Sequence, residues 1–296
     1  MDSLQTLILE PLSYGFMQRA LLMSLIIAII CSVFSCFLVL KGWSLMGDAI
    51  SHAVLPGLAI AYVLGISLMI GAFVAGLTCA IATGAIKDNC RVKEDAVMGI
   101  VFSGMFAFGL VLLTKIETDV HLLHVLFGNV LGISDADLIE AGSVAVSCSL
   151  IMLVKRRDLM LYCFDPNHAS AIGLPVRVLH FGLLILLALT IVSSLKAAGI
   201  ILVIAMLIAP GAIGFLLARS FDQMLLVALS VSIFSCITGT IMSFHLDAAT
   251  APLIIVIQAV LFLLALVYNQ LRDFTRGLAH VTQKRQRTGN VKSGCA

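Results

Sequence analysis

The chain offers one stretch after another of about 20 apolar residues, the length a helix needs to cross a bilayer core. The first follows Arg19 and reaches Lys41 without a charge between them. Similar stretches cover 67–86, 96–114, 136–154, 178–195, 199–218, 223–244 and 250–270. A further one, 44–64, is polar in its first half and contains Pro56. A soluble fold could not hide so much apolar surface. The chain is 61% hydrophobic and 11% charged, against roughly 25% charged residues in an average soluble domain. In lipid the backbone must satisfy its own hydrogen bonds, which leaves helices or a closed barrel. The alternating segments of about 10 residues that mark a barrel are missing. The expected fold is an all-α polytopic membrane helix bundle with about 9 transmembrane helices; eight is the alternative count.

Basic residues give the orientation, because Lys and Arg collect on the cytoplasmic side. One set of connections holds Lys41, Lys87, Arg91, Lys93, Lys155, Arg156, Arg157, Arg177, Arg219 and the basic tail. The opposite set holds Arg19, Lys115 and Lys196 beside Glu10, Glu117, Asp119, Asp135 and Asp247. The first set is expected inside, with the N-terminus outside. The chain then divides into an extracytoplasmic segment 1–18, a membrane domain 19–271 and a cytoplasmic basic tail 272–296, the last expected to be mobile. No cleaved signal peptide is expected, since the first apolar run is too long for one. The eight cysteines form no CxxC pair and read as small apolar filler.

The second span carries the most information. Asp48 and His52, in GDAISH, are one helical turn apart on the same face. An ionisable residue inside a span is costly unless it is paired or faces a wet path. A carboxylate oxygen with an imidazole nitrogen suits a borderline divalent cation such as Mn(II), Fe(II) or Zn(II). In the competing reading, Asp48 caps the helix start and His52 is a packing residue. Pro56 is expected to break the hydrogen-bond ladder one turn later.

Other polar residues read more plainly. His121 and His124, near Glu117 and Asp119, lie in a loose segment whose core, 122–133, is too short to cross alone. His245 and Asp247 sit at another outer junction, and His168 and His180 fall toward the inner side without a clear partner. Glu94 and Asp95 suit the N-terminal end of a helix dipole. Gln258 is expected to hydrogen-bond a neighbouring helix. Gly104, Gly109, Gly182 and Gly199 are expected to allow close helix approach. Pro210-Gly211 reads either as a broken helix lining a path or as a kink its neighbours accommodate. The longest inner connection, 158–177, holds a short helix from about 166 to 173 and could serve as a handle for a cytoplasmic partner. No GxxxxGK[ST] phosphate loop occurs, so any use of ATP needs another subunit. No HExxH is present either. An intramembrane enzyme and a carrier working alone remain as alternatives.

Four blocks carry a family resemblance: LKGWSLMGDAISHAVLPG (40–57), EDAVMGIVFSGMFAFGLVLL (94–113), LFGNVLG (126–132) and KAAGIILVIAMLIAPGAIGFLLA (196–218). Over about 15–270 the sequence resembles the permease subunits of bacterial ABC importers for manganese, zinc and chelated iron, the ABC-3 family. The resemblance implies a multi-pass protein of the bacterial inner membrane. It further implies a second permease subunit, the same chain or a homologue, two cytoplasmic ABC ATPases and a periplasmic metal-binding protein. Nucleic acid is not an expected partner. It implies no resident cofactor and no catalysis by this chain, ATP being hydrolysed on the partner. Asp48 and His52 match the family's metal-contacting pore residues, and the region around 158–177 matches its ATPase contact. Many members have PAA at Pro210-Gly211-Ala212, and the block looks most like the iron/manganese branch. Import of iron or manganese is therefore expected, with zinc as the alternative.

Overall fold

A computed structural model describes residues 10, 11, 13–116 and 134–293. His121, His124 and the LFGNVLG block lie outside the described residues, as does the loose segment's core, 122–133. The helices are α1 (Gly15–Lys41), α2 (Met46–Ala53), α3 (Leu55–Leu64), α4 (Leu68–Asn89), α5 (Glu94–Lys115) and α6 (Asp135–Val154). Then follow α7 (Arg156–Phe164), α8 (Pro166–Ala171), α9 (Val176–Leu217), α10 (Phe221–Leu246) and α11 (Thr250–Ser293). Among the described residues, nine segments are long and apolar enough to span a membrane. α2 and α3 together make one of them, and α9 makes two.

α1 is the central post. It packs against α6, α9 and α10, and most of its inner half is buried. Gly42 ends it at φ 76°, a left-handed conformation that favours glycine. Trp43 N–H then reaches back to the Leu38 carbonyl at 2.8 Å. This turn sends the chain directly into the bundle as α2.

α9 contains two spans because of Gly199, which sits at φ 76° and ψ 167° inside an otherwise helical run. Only glycine adopts that region readily. Sequence reading places the break at Lys196-Ala197-Ala198; the conformational break is at Gly199.

Pro210, by contrast, leaves the helix unbroken. It lacks the N–H that would bond the carbonyl one turn back. Ser35 of α1 holds the backbone on either side of it: its hydroxyl accepts the Gly211 N–H at 2.8 Å and donates to the Ile208 carbonyl at 3.2 Å. The accommodated kink, rather than a broken path-lining helix, is the correct reading. A Cβ on Gly211 would lie 2.5 Å from the Ser35 carbonyl oxygen, so glycine is required there for packing.

Close approach is also real at Gly57 and Gly71, whose helices α3 and α4 meet backbone to backbone, and at Gly109, which faces the Pro56 nitrogen. At Gly104 and Gly182 no described residue comes within 4 Å of an added Cβ, so neither mediates a helix contact among the described residues. Gln258 does bridge helices, donating to the Met206 sulfur at 2.9 Å. The helix expected at about 166–173 is α8, but α7 before it has no counterpart in the sequence reading. Its mixed RRDLMLYCF pattern hides a helix with one apolar side. Beyond the last span, the backbone stays helical through Ser293, where a mobile tail is expected from composition.

Three outcomes check this arrangement. Gly57→Ala should destabilise the detergent-solubilised protein by about 1–3 kcal/mol, the usual cost of overpacking, while Gly104→Ala should leave its unfolding temperature unchanged. Cys90 is exposed on a connection the basic residues assign to the inside. A variant retaining Cys90 as its sole cysteine should react with a membrane-impermeant maleimide in inside-out vesicles and not in intact cells. A variant retaining only Cys163 should stay unlabelled from pH 7 to 9. Burial pushes that thiol up to about 12, although Lys41 opposes the shift, so the reactive thiolate is scarce below that pH.

Candidate functional site

Asp48 and His52 both lie on α2, the half-span that Gly42 and Trp43 turn into the bundle. The capping alternative does not hold. Leu45 is the N-cap residue and no side chain caps the helix. Asp48 instead turns toward His52, with Oδ1 at 3.3 Å from Nε2. That contact is longer than the roughly 2.7–2.9 Å of a tight charge-assisted hydrogen bond. The pair is a loose one.

The spacing has a chemical meaning. Two donors 3.3 Å apart, each about 2.1 Å from a shared ion, subtend about 104° at it. That angle is close to tetrahedral and not far from octahedral, so both atoms can hold one cation without moving apart. Among the described residues no third His, Cys, Asp or Glu joins them. Among the described residues the chain thus offers two candidate side-chain ligands here, the count of a weak or shared site.

The pair opens into a cavity of about 550 Å³. Its other walls are apolar: Leu55, Phe106 and Leu110 on one side, Ile200, Ile204 and Ala205 on another, and Ile255. Phe106 meets the His52 ring edge-on at 5.3 Å, and Phe102 stacks on it at 6.1 Å. The two rings limit how far the imidazole can swing. His52 and Asp48 keep 34% and 31% of their side-chain surface exposed, which in a bundle this apolar marks a wet cavity. Pro56 deprives the His52 carbonyl of its usual helical partner one turn on, and the helix steps from α2 to α3 at Val54.

Sequence reasoning finds the two polar residues and misses their walls. Phe102 and Phe106 are four apart in one of the recognisable blocks, so the signal was present but read as ordinary span. The residues after Gly199 line the cavity, whereas Pro210 and Gly211 do not. His180 is misjudged most: it has a partner, since the Tyr162 hydroxyl sits 2.7 Å from its Nδ1. His245 meets the Phe244 ring edge-on, close to Asp247, a residue in the left-handed conformation that ends α10. His168 is fixed through its backbone, which donates to Asp165 as α8 begins.

Residues 13–269 match the ABC 3 transport family. The chain belongs to that family. It is 62% identical over 284 residues to the chelated iron transport system membrane protein YfeD of Yersinia pestis, covering 96% of each chain. It is 52% identical over 263 residues to the manganese transport system membrane protein MntB of Synechocystis, covering 88% of this chain and 85% of that one. Among solved structures it is similar to PsaBC from Streptococcus pneumoniae in complex with Fab. The TM-score is 0.78 at 34% identity, over 88% of this chain and 95% of the other. This ABC-3 chain is thus a multi-pass transport permease and not an enzyme. The expectations of family and fold class hold.

If the cavity walls orient the permease's histidine, Phe106→Ala should loosen it. The expected result is weaker Mn(II) binding to the purified complex, by up to about tenfold, the equivalent of 1.4 kcal/mol. Thermal unfolding of the metal-free protein should move far less, since the ring faces a cavity; titration calorimetry and a thermal melt check both.

Proposed function

We propose that the chain is the membrane-spanning subunit of an ATP-driven importer that moves Fe(II) and Mn(II) into the cytoplasm across the bacterial inner membrane. Asp48 and His52 hold the ion on its way. The observation that carries this reading is the loose carboxylate–imidazole pair, open to a cavity inside an apolar bundle. Both metals suit that donor set, and relatives named for iron and for manganese are similar over nearly the whole chain.

Transport chemistry explains why the site is spare. A tight cage of four or more ligands would trap the ion, whereas conduction needs binding weak enough to release. Two ligands from one chain become four when a second permease subunit faces the first across a two-fold axis. That subunit is either a second copy or a homologue. Two ABC ATPases supply the energy, because this chain has no phosphate loop. The α7–α8 connection is their handle, and an extracytoplasmic binding protein delivers the metal. The cargo is a substrate; nothing in the mechanism asks for a resident cofactor.

Asp48→Ala, at normal membrane level, should reduce Mn(II) uptake below about one tenth of wild type, a loss of at least 1.4 kcal/mol. Radiotracer uptake in cells lacking other Mn(II) importers measures it. Uptake at the wild-type rate would sink the assignment. Competition by Fe(II) and Zn(II) in the same assay ranks the cargo: stronger competition by Zn(II) than by Fe(II) would replace iron with zinc. Gly211→Ala should lower the amount of folded protein without changing that ranking.

A further inference from the structure

Four side chains on the side marked cytoplasmic by the basic residues meet in one cluster. Tyr162 belongs to α7, His180 to the start of α9, Lys41 to the end of α1, and Trp43 to the turn between α1 and α2. The Tyr162 hydroxyl lies 2.7 Å from His180 Nδ1. His180 meets the Trp43 indole edge-on at 5.3 Å. The Lys41 ammonium sits over the Tyr162 ring at 4.1 Å and 5.7 Å from the Trp43 ring centre. Tyr162 and Trp43 are almost wholly buried, at 3% and 1% exposed. Cation–π contacts and hydrogen bonds both strengthen when water is excluded.

The backbone of Trp43 extends this cluster to the metal pair. Its N–H closes α1 on the Leu38 carbonyl, and its carbonyl accepts the Met46 N–H at 3.1 Å as α2 opens. Asp48 stands in the first turn of α2. A displacement of the indole therefore moves the start of the helix that carries Asp48 and His52. α7 is also tied to the bundle by Leu159 and Cys163, which are buried in the apolar core, and by the Arg156–Asp222 pair, whose side chains are 40% and 66% exposed. Exposed pairs are screened and yield easily. Among the polar ties, the buried ring cluster is the stiffer one.

We propose that Tyr162 and His180 are positioning residues that transmit movement of the α7–α8 handle through Trp43 to the metal-bearing α2. The inference rests on the proposed function, in which ATPases act on that handle and Asp48 and His52 meet the ion. Tyr162→Phe keeps the ring under Lys41 and removes only the hydroxyl.

The complete complex, reconstituted in ATP-loaded vesicles with its binding protein outside, tests the link. Tyr162→Phe should raise the ATP hydrolysed per Mn(II) imported by about fivefold, the factor that one net hydrogen bond represents. ATP hydrolysis itself should stay within about a factor of two. His180→Leu should behave likewise, and His180→Gln, which can still bond the tyrosine, should restore much of the coupling. A merely structural role would lower both rates together. Trp43 is the chain's single tryptophan, so a second readout needs no transport. The permease subunit, labelled with 5-fluorotryptophan and assembled with unlabelled partners, should shift its fluorine resonance when nucleotide binds, and Tyr162→Phe should reduce that shift. A wild-type ATP-to-metal ratio in Tyr162→Phe, or a resonance that ignores nucleotide in the wild type, overturns the proposal. Wild-type uptake by Asp48→Ala would instead refute the metal assignment and leave this link standing.

Discussion

Hydrocarbon offers no hydrogen bonds, and the rest of the structure follows from that constraint. Every polar group inside the spans must find a partner within the protein or face water. Small hydroxyl side chains accordingly bond back to carbonyls of their own helix, as Ser51 does to Gly47 and Thr83 to Cys79. Beside the proline at 210, Ser35 on another helix accepts the Gly211 N–H. Against this background Asp48 and His52 stand out. They are partly exposed and only loosely joined to each other. An ionisable pair in so apolar a bundle is costly unless it faces water or an ion.

The same constraint shapes the path. α2 opens directly after the turn that ends α1. The Gly42 turn and the buried Trp43 start it within the bundle, so its first-turn carboxylate sits beside a cavity and not in solvent. Gly199 lets the chain reverse and deliver Ile200, Ile204 and Ala205 as the opposing wall. Two glycines with positive φ thus build both sides of the site, and neither touches it. The cavity's other lining residues are apolar, so Asp48 and His52 are its polar side chains; under the proposed function they are where an ion pauses.

Much of this was legible in the chain alone. The spans are visible because about 20 apolar residues in sequence have few other uses. Asp48 and His52 are visible because charge is expensive there and their spacing puts them on one face. What stayed hidden depends on partners far away in sequence. Nothing near Pro210 says that Ser35 will bond beside it. Nothing near His180 announces Tyr162, and α7 has too mixed a composition to stand out as a helix. Gly104 and Gly182 meet no described neighbour, since a small residue tells only that a neighbour could approach. Local cost can be read from sequence; long-range satisfaction requires the fold.

The central claim is that the imported ion touches His52. Electron spin echo spectroscopy of Mn(II) bound to the complete complex tests it directly, because a coordinated imidazole nitrogen modulates the echo of the ion's unpaired electrons. The account predicts nitrogen modulation in the wild type that disappears in His52→Ala. Modulation that persists unchanged in that variant, or bound Mn(II) with no nitrogen modulation in the wild type, would contradict it.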